Sequence, residues 1–105
     1  MAKRKVTNLT DVSEITCVVQ KGMADEIVQS LLDAGIQGAT VHSGVGTGIR
    51  ERMGLLGVAV EVEREIVQVL VSKDQVDRIF ERMYLAGRLD TPGMGYIYAA
   101  PLVQA

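Results

Sequence analysis

The fold is decided by the stretch Ile66-Val-Gln-Val-Leu-Val71 and by Ser72-Lys-Asp-Gln75, which follows it directly. The first stretch carries apolar side chains on both alternating faces, a pattern typical of a strand that is covered on both sides. The second has a serine followed three positions later by a glutamine, the pattern of a capping box, which predicts the start of a helix. A strand therefore runs into a helix here without a linker.

An equivalent unit lies nearer the start of the chain. Residues 14–20 alternate in polarity and predict the first strand. Residues 23–35 carry apolar side chains at helical spacing and end in Gly35, which can take the positive φ found after a helix end. A second strand is predicted over residues 38–43. The first unit is therefore strand, helix, strand.

The second half of the chain repeats this order. The second helix is predicted to end at Gly87, where a C-cap belongs, and a last strand covers residues 96–100. The order βαββαβ is that of the α+β ferredoxin-like split βαβ sandwich, a four-stranded antiparallel sheet with two helices on one face. Because residues 66–71 need cover on both faces, we expect the open face to pack against other copies of the chain.

Composition narrows the class of protein. The chain has 105 residues, with 11 Lys and Arg against 13 Asp and Glu, a net charge of −2 that argues against general nucleic-acid binding. We expect one domain over residues 14–105, preceded by a basic, polar tail at residues 1–13. One cysteine and no apolar run long enough to span a bilayer predict a cytoplasmic protein.

Side chains suited to catalysis or metal binding are few. His42 is the only histidine, and the sequence shows no constellation of acid, base and nucleophile, so we expect the protein not to be an enzyme. Cys17 lies within an apolar strand and is expected in the core. An alternative function is a trimeric metal-binding or metal-tolerance module using His42 with Glu61, Glu63 and Glu65, although their alternation fits a solvated strand edge better than a metal site.

Two glycine-rich loops are the strongest functional signal. Glycine lets the backbone approach a phosphate closely and leaves amides free to point outward. Neither loop has the dinucleotide-binding or Walker A pattern, so each motif alone is weak. The glycines are Gly44, Gly46 and Gly48 in the first loop and Gly87, Gly93 and Gly95 in the second, and the cations available to a phosphate are Arg50, Arg52 and Arg88.

Two joins between predicted elements have a distinctive sequence: Gly35-Ile-Gln-Gly-Ala-Thr-Val41, and the stretch through Asp74-Gln-Val76. Both resemble the corresponding joins of the PII signal-transduction family, and the likeness extends over residues 14–102. It implies a homotrimer of ferredoxin-like subunits with adenine nucleotides bound in the clefts between subunits. It also implies that a T-loop, residues 44–63 here, docks onto a membrane transporter or a regulated enzyme.

The resemblance also assigns roles to residues. Thr40 matches a threonine near the adenine, and Gly44 and Gly46 match glycines at the base of the T-loop. A second loop of the family, the B-loop, corresponds to residues 87–95. Its matching residues are Gly87 and Arg88 at its start and Gly93 and Gly95 near the phosphates. The partner-binding residues expected within the T-loop are Arg50, Arg52, Met53 and Leu55.

This chain departs from the family at the phosphate contacts. It has Thr47 and Gly48 where the family has Arg-Gln, and Met94 and Tyr96 where the family has Asp and Lys. The C-terminal arginines of the family have no counterpart in this sequence, and its T-loop holds no tyrosine for uridylylation. We therefore expect ADP or AMP to bind at least as well as ATP, with no other cofactor.

Overall fold

The computed structural model describes residues 11–47 and 61–102. Within them the four strands form one antiparallel sheet in the order β2-β3-β1-β4. Two helices pack on one face, which confirms the predicted ferredoxin-like α+β sandwich. The elements are β1 (Val12–Gln20), α1 (Ala24–Asp33), β2 (Ala39–Thr47), β3 (Glu61–Ser72), a 3₁₀ turn (Lys73–Gln75), α2 (Val76–Ala86) and β4 (Gly95–Pro101).

The core lies between the helices and the two central strands. Alternate residues of β1 and β3 point at the helices, and the register places Cys17 opposite Val67 in the middle of this layer. The apolar residues of α1 and α2 recur at spacings of three and four and form one face on each helix. These two faces cover the layer. The buried residues are Ile15, Cys17, Val19, Ala24, Ile27, Leu31, Val67, Val69, Val71, Ile79 and Met83.

The end of α1 follows the predicted glycine signal. Gly35 has a φ of +89° and donates its N–H to the carbonyl of Leu32 at 3.0 Å. Ile36 donates to the carbonyl of Leu31 at 2.9 Å, so two of the carbonyls left free at a helix end are satisfied. This turn directs the chain from α1 into β2.

The predicted capping box at the start of the second helix is wrong. The Ser72 hydroxyl donates to the Asp74 carboxylate at 2.7 Å, and no side-chain cap bond is present. Gln75 instead accepts from the guanidinium of Arg78, with 2.9 Å between Oε1 and Nε. The 3₁₀ turn before α2 places Gln75 one turn ahead of Arg78. The side chain of Gln75 therefore bonds Arg78 and not the start of the turn at Ser72.

Strands β2 and β3 are longer than the sequence pattern predicts. The ends of the predicted T-loop, residues 44–47 and 61–63, are paired strand residues, with Gly44 opposite Arg64 and Thr47 opposite Glu61. Glu65 lies on a central strand, between β2 and β1, whereas among the described residues Glu61 and Glu63 pair with β2 alone, as at a strand edge. The expected partner contacts Arg50, Arg52, Met53 and Leu55 lie outside the described residues. At the other end, β1 begins at Val12 rather than at the predicted Glu14.

The face of the sheet opposite the helices exposes large apolar side chains. Leu70 is 52% exposed, Tyr96 59% and Tyr98 50%, and the two tyrosine rings stack with their centroids 6.3 Å apart. Apolar side chains on a sheet face without helical cover are a typical interaction surface. In the described part of the chain, neither helix is long and apolar enough to cross a membrane.

Candidate functional site

The B-loop starts at an unusual helix end. Gly87 is the C-cap of α2, as predicted, but its φ is −86° and the left-handed residue is the next one, Arg88, with a φ of 55°. The amide of Arg88 donates to Leu85 at 3.1 Å and that of Leu89 to Tyr84 at 3.0 Å, the pattern that normally places glycine at this position. Arg88 is the one non-glycine residue with positive φ in the described segments.

Packing explains why the glycine stands one position earlier. A Cβ on Gly87 would lie 3.3 Å from Ile27 Cδ1 and 3.3 Å from the carbonyl oxygen of Met83, tighter than ordinary van der Waals contact. Glycine at position 87 therefore avoids a tight contact with Ile27 of α1, and the left-handed conformation falls on Arg88. Residues held in sparsely populated conformations cluster at functional sites, and the exposed guanidinium of Arg88 is a candidate anion ligand.

Replacing Arg88 by glycine is expected to stabilise the fold. Glycine takes a positive φ without the steric cost of about 1–2 kcal/mol that other L-residues meet. We expect the free energy of unfolding of Arg88→Gly, measured in urea, to rise by about 1 kcal/mol. The control is Arg88→Ala, which removes the same side chain but keeps a Cβ at positive φ. An equal gain in both variants would show that charge rather than backbone conformation is responsible.

The rest of the B-loop is a series of tight turns. Thr91 donates its N–H to the carbonyl of Arg88 at 3.0 Å, and Met94 donates to Thr91 at 3.2 Å. Gly93 has a φ of 86° and Gly95 a φ of 139°. A Cβ on Gly95 would overlap the carbonyl oxygen of Val18 on the neighbouring strand. Both predicted loop glycines thus occupy conformations that other residues rarely adopt.

Most of the predicted site residues lie towards one end of the sheet, but Gly44 on β2 and Gly95 on β4 are on opposite edge strands. Gly95 starts β4 opposite Val19, which also pairs with Glu65 of β3. In the next row Gly44 lies opposite Arg64 of β3, and Arg64 lies opposite the last residue of β1. Arg64 was not singled out from the sequence, because nothing local distinguishes it from a solvated charge.

Thr40 lies elsewhere on the sheet. It is exposed on β2, opposite Gln68, three rows from Gly95 and on the opposite edge strand. With about 4.8 Å between strands and about 3.4 Å between residues, Thr40 and Gly95 are roughly 18 Å apart in one chain. The structure does not bring them together within the chain. Thr40 borders a cavity of about 200 Å³ lined also by Glu14, Gly38, Gln68, Val69 and Leu70.

Three residues of the metal alternative, His42, Glu63 and Glu65, have separate partners in the structure. His42 Nε2 lies 3.1 Å from Gln68 Oε1 on the open face, and Glu63 pairs with Lys21 at 3.1 Å. Glu65 is held at backbone amides at the start of α1. Within residues 11–47 and 61–102 no three His, Cys, Asp or Glu side chains are grouped as a metal site.

Cys17 is confirmed as a core residue. Its side chain is fully buried beneath the helices, and burial raises the pKa of its thiol to about 11. A thiol with so high a pKa carries almost no thiolate at neutral pH, and thiolate is the reactive form. Cys17 therefore contributes packing and not nucleophilic chemistry.

A larger cavity lies away from all of these residues. It has about 570 Å³ and lies between the outer surfaces of α1 and α2, where it is lined by Ser30, Arg78, Glu81, Arg82, Leu85 and Ala86. It contains none of the predicted site residues. The loop end of the sheet is the better candidate, because it combines two glycines of positive φ with the exposed, left-handed Arg88.

Comparison with known proteins decides the family. The family model described as "Nitrogen regulatory protein P-II" matches residues 12–105, which is nearly the whole chain. The chain belongs to the P-II family. P-II proteins are regulators rather than enzymes; they bind effector ligands and regulate partner proteins.

A P-II structure also matches the fold. The crystal structure of Arabidopsis thaliana PII bound to citrate has a TM-score of 0.69 and 22% sequence identity. The match covers 89% of this chain and 78% of that one. At this identity the likeness shows a common fold. A search of the curated proteins by sequence finds no match.

Proposed function

We propose that this P-II protein is a homotrimeric signalling protein of the cytoplasm that senses adenine nucleotides in clefts between its subunits. Nucleotide occupancy changes the state of the T-loop, through which the protein controls a membrane transporter or an enzyme. A ligand shifts such an equilibrium only by binding one loop state more tightly than the other. The observation that carries the proposal is the B-loop, with its two positive-φ glycines and its left-handed Arg88.

The B-loop offers the groups that a phosphate needs. The amides of Gly87 and Arg88 are bonded to the helix end, so the contribution of Arg88 to an anion is its guanidinium. Among the described residues no backbone acceptor is found for the N–H of Gly93, which leaves it available to an anion. A charge-assisted bond from arginine contributes about 1.5–3 kcal/mol. These groups favour a phosphate-bearing ligand.

The separation of the two edges supports a site built from two copies. Thr40 on β2 and the glycines beside β4 lie at opposite edges of the sheet, so a compact site that uses both needs the edge of another subunit. The apolar open face supplies a surface for such assembly. A cleft between subunits therefore agrees with the geometry better than a pocket within one chain.

We expect calorimetry to find that ADP or AMP binds at least as tightly as ATP. Tyr96 stands where the family has a lysine, so a third phosphate adds charge without an added cation. Arg88→Ala should weaken the binding of ADP and of AMP by about tenfold, because one charge-assisted contact is lost. Arg78→Ala is the control, since Arg78 lies in the first turn of α2 and bonds Gln75 of the 3₁₀ turn, away from the B-loop.

Two results would contradict the nucleotide proposal. One is the absence of heat with AMP, ADP and ATP at millimolar concentration, and the other is equal affinity in the wild type and in Arg88→Ala. Citrate belongs in the same experiment because the Arabidopsis PII structure is described as bound to citrate. If citrate binds and no nucleotide does, the effector is a carboxylate and not a nucleotide.

A further inference from the structure

The chain segment between β1 and α1 contacts the B-loop directly. Gln20, the last residue of β1, donates from its side-chain amide to the carbonyl oxygen of Gly93 at 3.1 Å. This bond joins residues 73 positions apart in the chain. Gly93 lies in the part of the B-loop assigned to phosphate binding, so the position of Gln20 affects the position of that loop.

The same segment is fixed from the other side by β3. One carboxylate oxygen of Glu65, Oε1, accepts the amide of Gly22 at 3.0 Å and the amide of Ala24 at 2.9 Å. The amide of Ala24 is the first of α1 and that of Gly22 lies two residues before it, at a helix start without a side-chain hydrogen bond from its N-cap residue Met23. A carboxylate there is bonded twice and is also stabilised by the helix dipole. We call residues 20–24 the bridging turn.

The bridging turn has little freedom to adjust. Gly22 has a φ of +96°, a conformation that glycine adopts readily and that the two Glu65 bonds hold in place. Lys21 adds an ion pair with Glu63 at 3.1 Å, but both side chains are more than half exposed, so its contribution is small. The bonds of Gln20 and Glu65 therefore connect the B-loop and β3 through five consecutive residues.

We propose that the bridging turn couples the ligand state of the B-loop to strand β3 at the stem of the T-loop, with Gln20 and Glu65 as positioning residues. The proposal rests on the proposed function, in which a nucleotide binds the B-loop. A nucleotide that moves the carbonyl of Gly93 changes the bond to Gln20, and the turn carries the change to Glu65. Because coupling is reciprocal, a change at Glu65 also alters the B-loop.

The link is tested first without nucleotide, by hydrogen exchange of the full chain. Breaking it with Gln20→Ala or Glu65→Ala should raise exchange in the peptide covering residues 88–95 by about fivefold, the effect of one lost hydrogen bond. Gln20→Ala combined with Glu65→Ala should raise it no further than Gln20→Ala alone, since both variants interrupt one path.

Matched controls separate coupling from general loosening. Gln29→Ala and Glu26→Ala remove an exposed glutamine and an exposed glutamate from α1, and neither should change exchange in the B-loop. Glu65→Gln keeps a side-chain oxygen as acceptor and should remain close to the wild type. If Glu65→Ala raises exchange everywhere, the link is judged from the other two variants: Gln20→Ala should raise exchange in the B-loop, and Glu65→Gln should not. Equal B-loop exchange in the wild type and Gln20→Ala would overturn the link.

The second arm adds ADP at saturating concentration. In the wild type, ADP should slow hydrogen exchange both in the B-loop and in residues 61–66. In Gln20→Ala, ADP should still slow exchange in the B-loop but no longer in residues 61–66. Protection of both segments in Gln20→Ala would overturn the proposal. If ADP protects neither segment of the wild type, the nucleotide function fails, and the arm without nucleotide alone decides whether the turn links the two elements.

Discussion

Replacing Gly95 by alanine lowers the free energy of unfolding by about 3 kcal/mol or more. The residue has a φ of +139°, and an added Cβ would overlap the carbonyl oxygen of Val18 across the β1–β4 pair. Neither atom can give way cheaply, because both belong to paired backbone. The expected result is a lower urea midpoint at a fixed protein concentration, with an unchanged slope.

The matched control is Gly38→Ala. Gly38 precedes β2 and does not have a positive φ, and a Cβ added there would have no other atom within 4 Å. Alanine at this position should be neutral or stabilising by about 0.4–1 kcal/mol, because it lowers the entropy of the unfolded chain. A similar loss in both variants would mean that removing any glycine is harmful, and the argument from the Val18 carbonyl would fail.

Leu70→Asp is expected to convert a trimer into a monomer. Leu70 is half exposed on the open sheet face of one chain, so the aspartate costs the isolated subunit little. If that face is the subunit interface, assembly buries three carboxylates without partners, and each unpaired buried charge costs several kcal/mol. Sedimentation equilibrium at micromolar concentration should give the mass of a trimer for the wild type and of a monomer for the variant.

Leu32→Asp is the control for this experiment. Leu32 is 50% exposed, close to the 52% of Leu70, but it lies on α1 at the helical surface. The Leu32→Asp variant should remain trimeric, and circular dichroism should show folded chains in both variants. A monomeric wild type, or a trimeric Leu70→Asp, would remove the open face from the assembly and with it the basis for clefts between subunits.

The sequence predicts the element order because hydrophobic period is a local property. The strand pattern of residues 66–71 and the helix end at Gly35 depend on neighbours along the chain, and both are confirmed. The capping box failed because Ser72 and Gln75 each have a competing partner that a motif does not reveal. Similarly, the left-handed residue is Arg88 and not Gly87, where glycine avoids a tight contact with Ile27 of α1 that the local sequence does not reveal.

The candidate site divides in the same way. Its glycines and Arg88 are found from the sequence because the loop motif is contiguous. Gln20 and Glu65 are missed because their bonds reach residues 73 and 41 positions away. No residue near either one in the sequence marks it as a partner of a distant backbone group. Contacts of this kind depend on strand register, which follows from the whole sheet.

The extension of β2 and β3 beyond β1 has a mechanical consequence. The last partner of β1 on β3 is Arg64, while β2 continues to pair as far as Glu61. Three residues of each strand therefore form a two-stranded ribbon that projects about 10 Å beyond the sheet. Such a ribbon acts as a lever arm with its pivot in the row of Arg64. A tilt of about 10° at the pivot moves the tip by about 2 Å, and anything attached beyond the tip moves further.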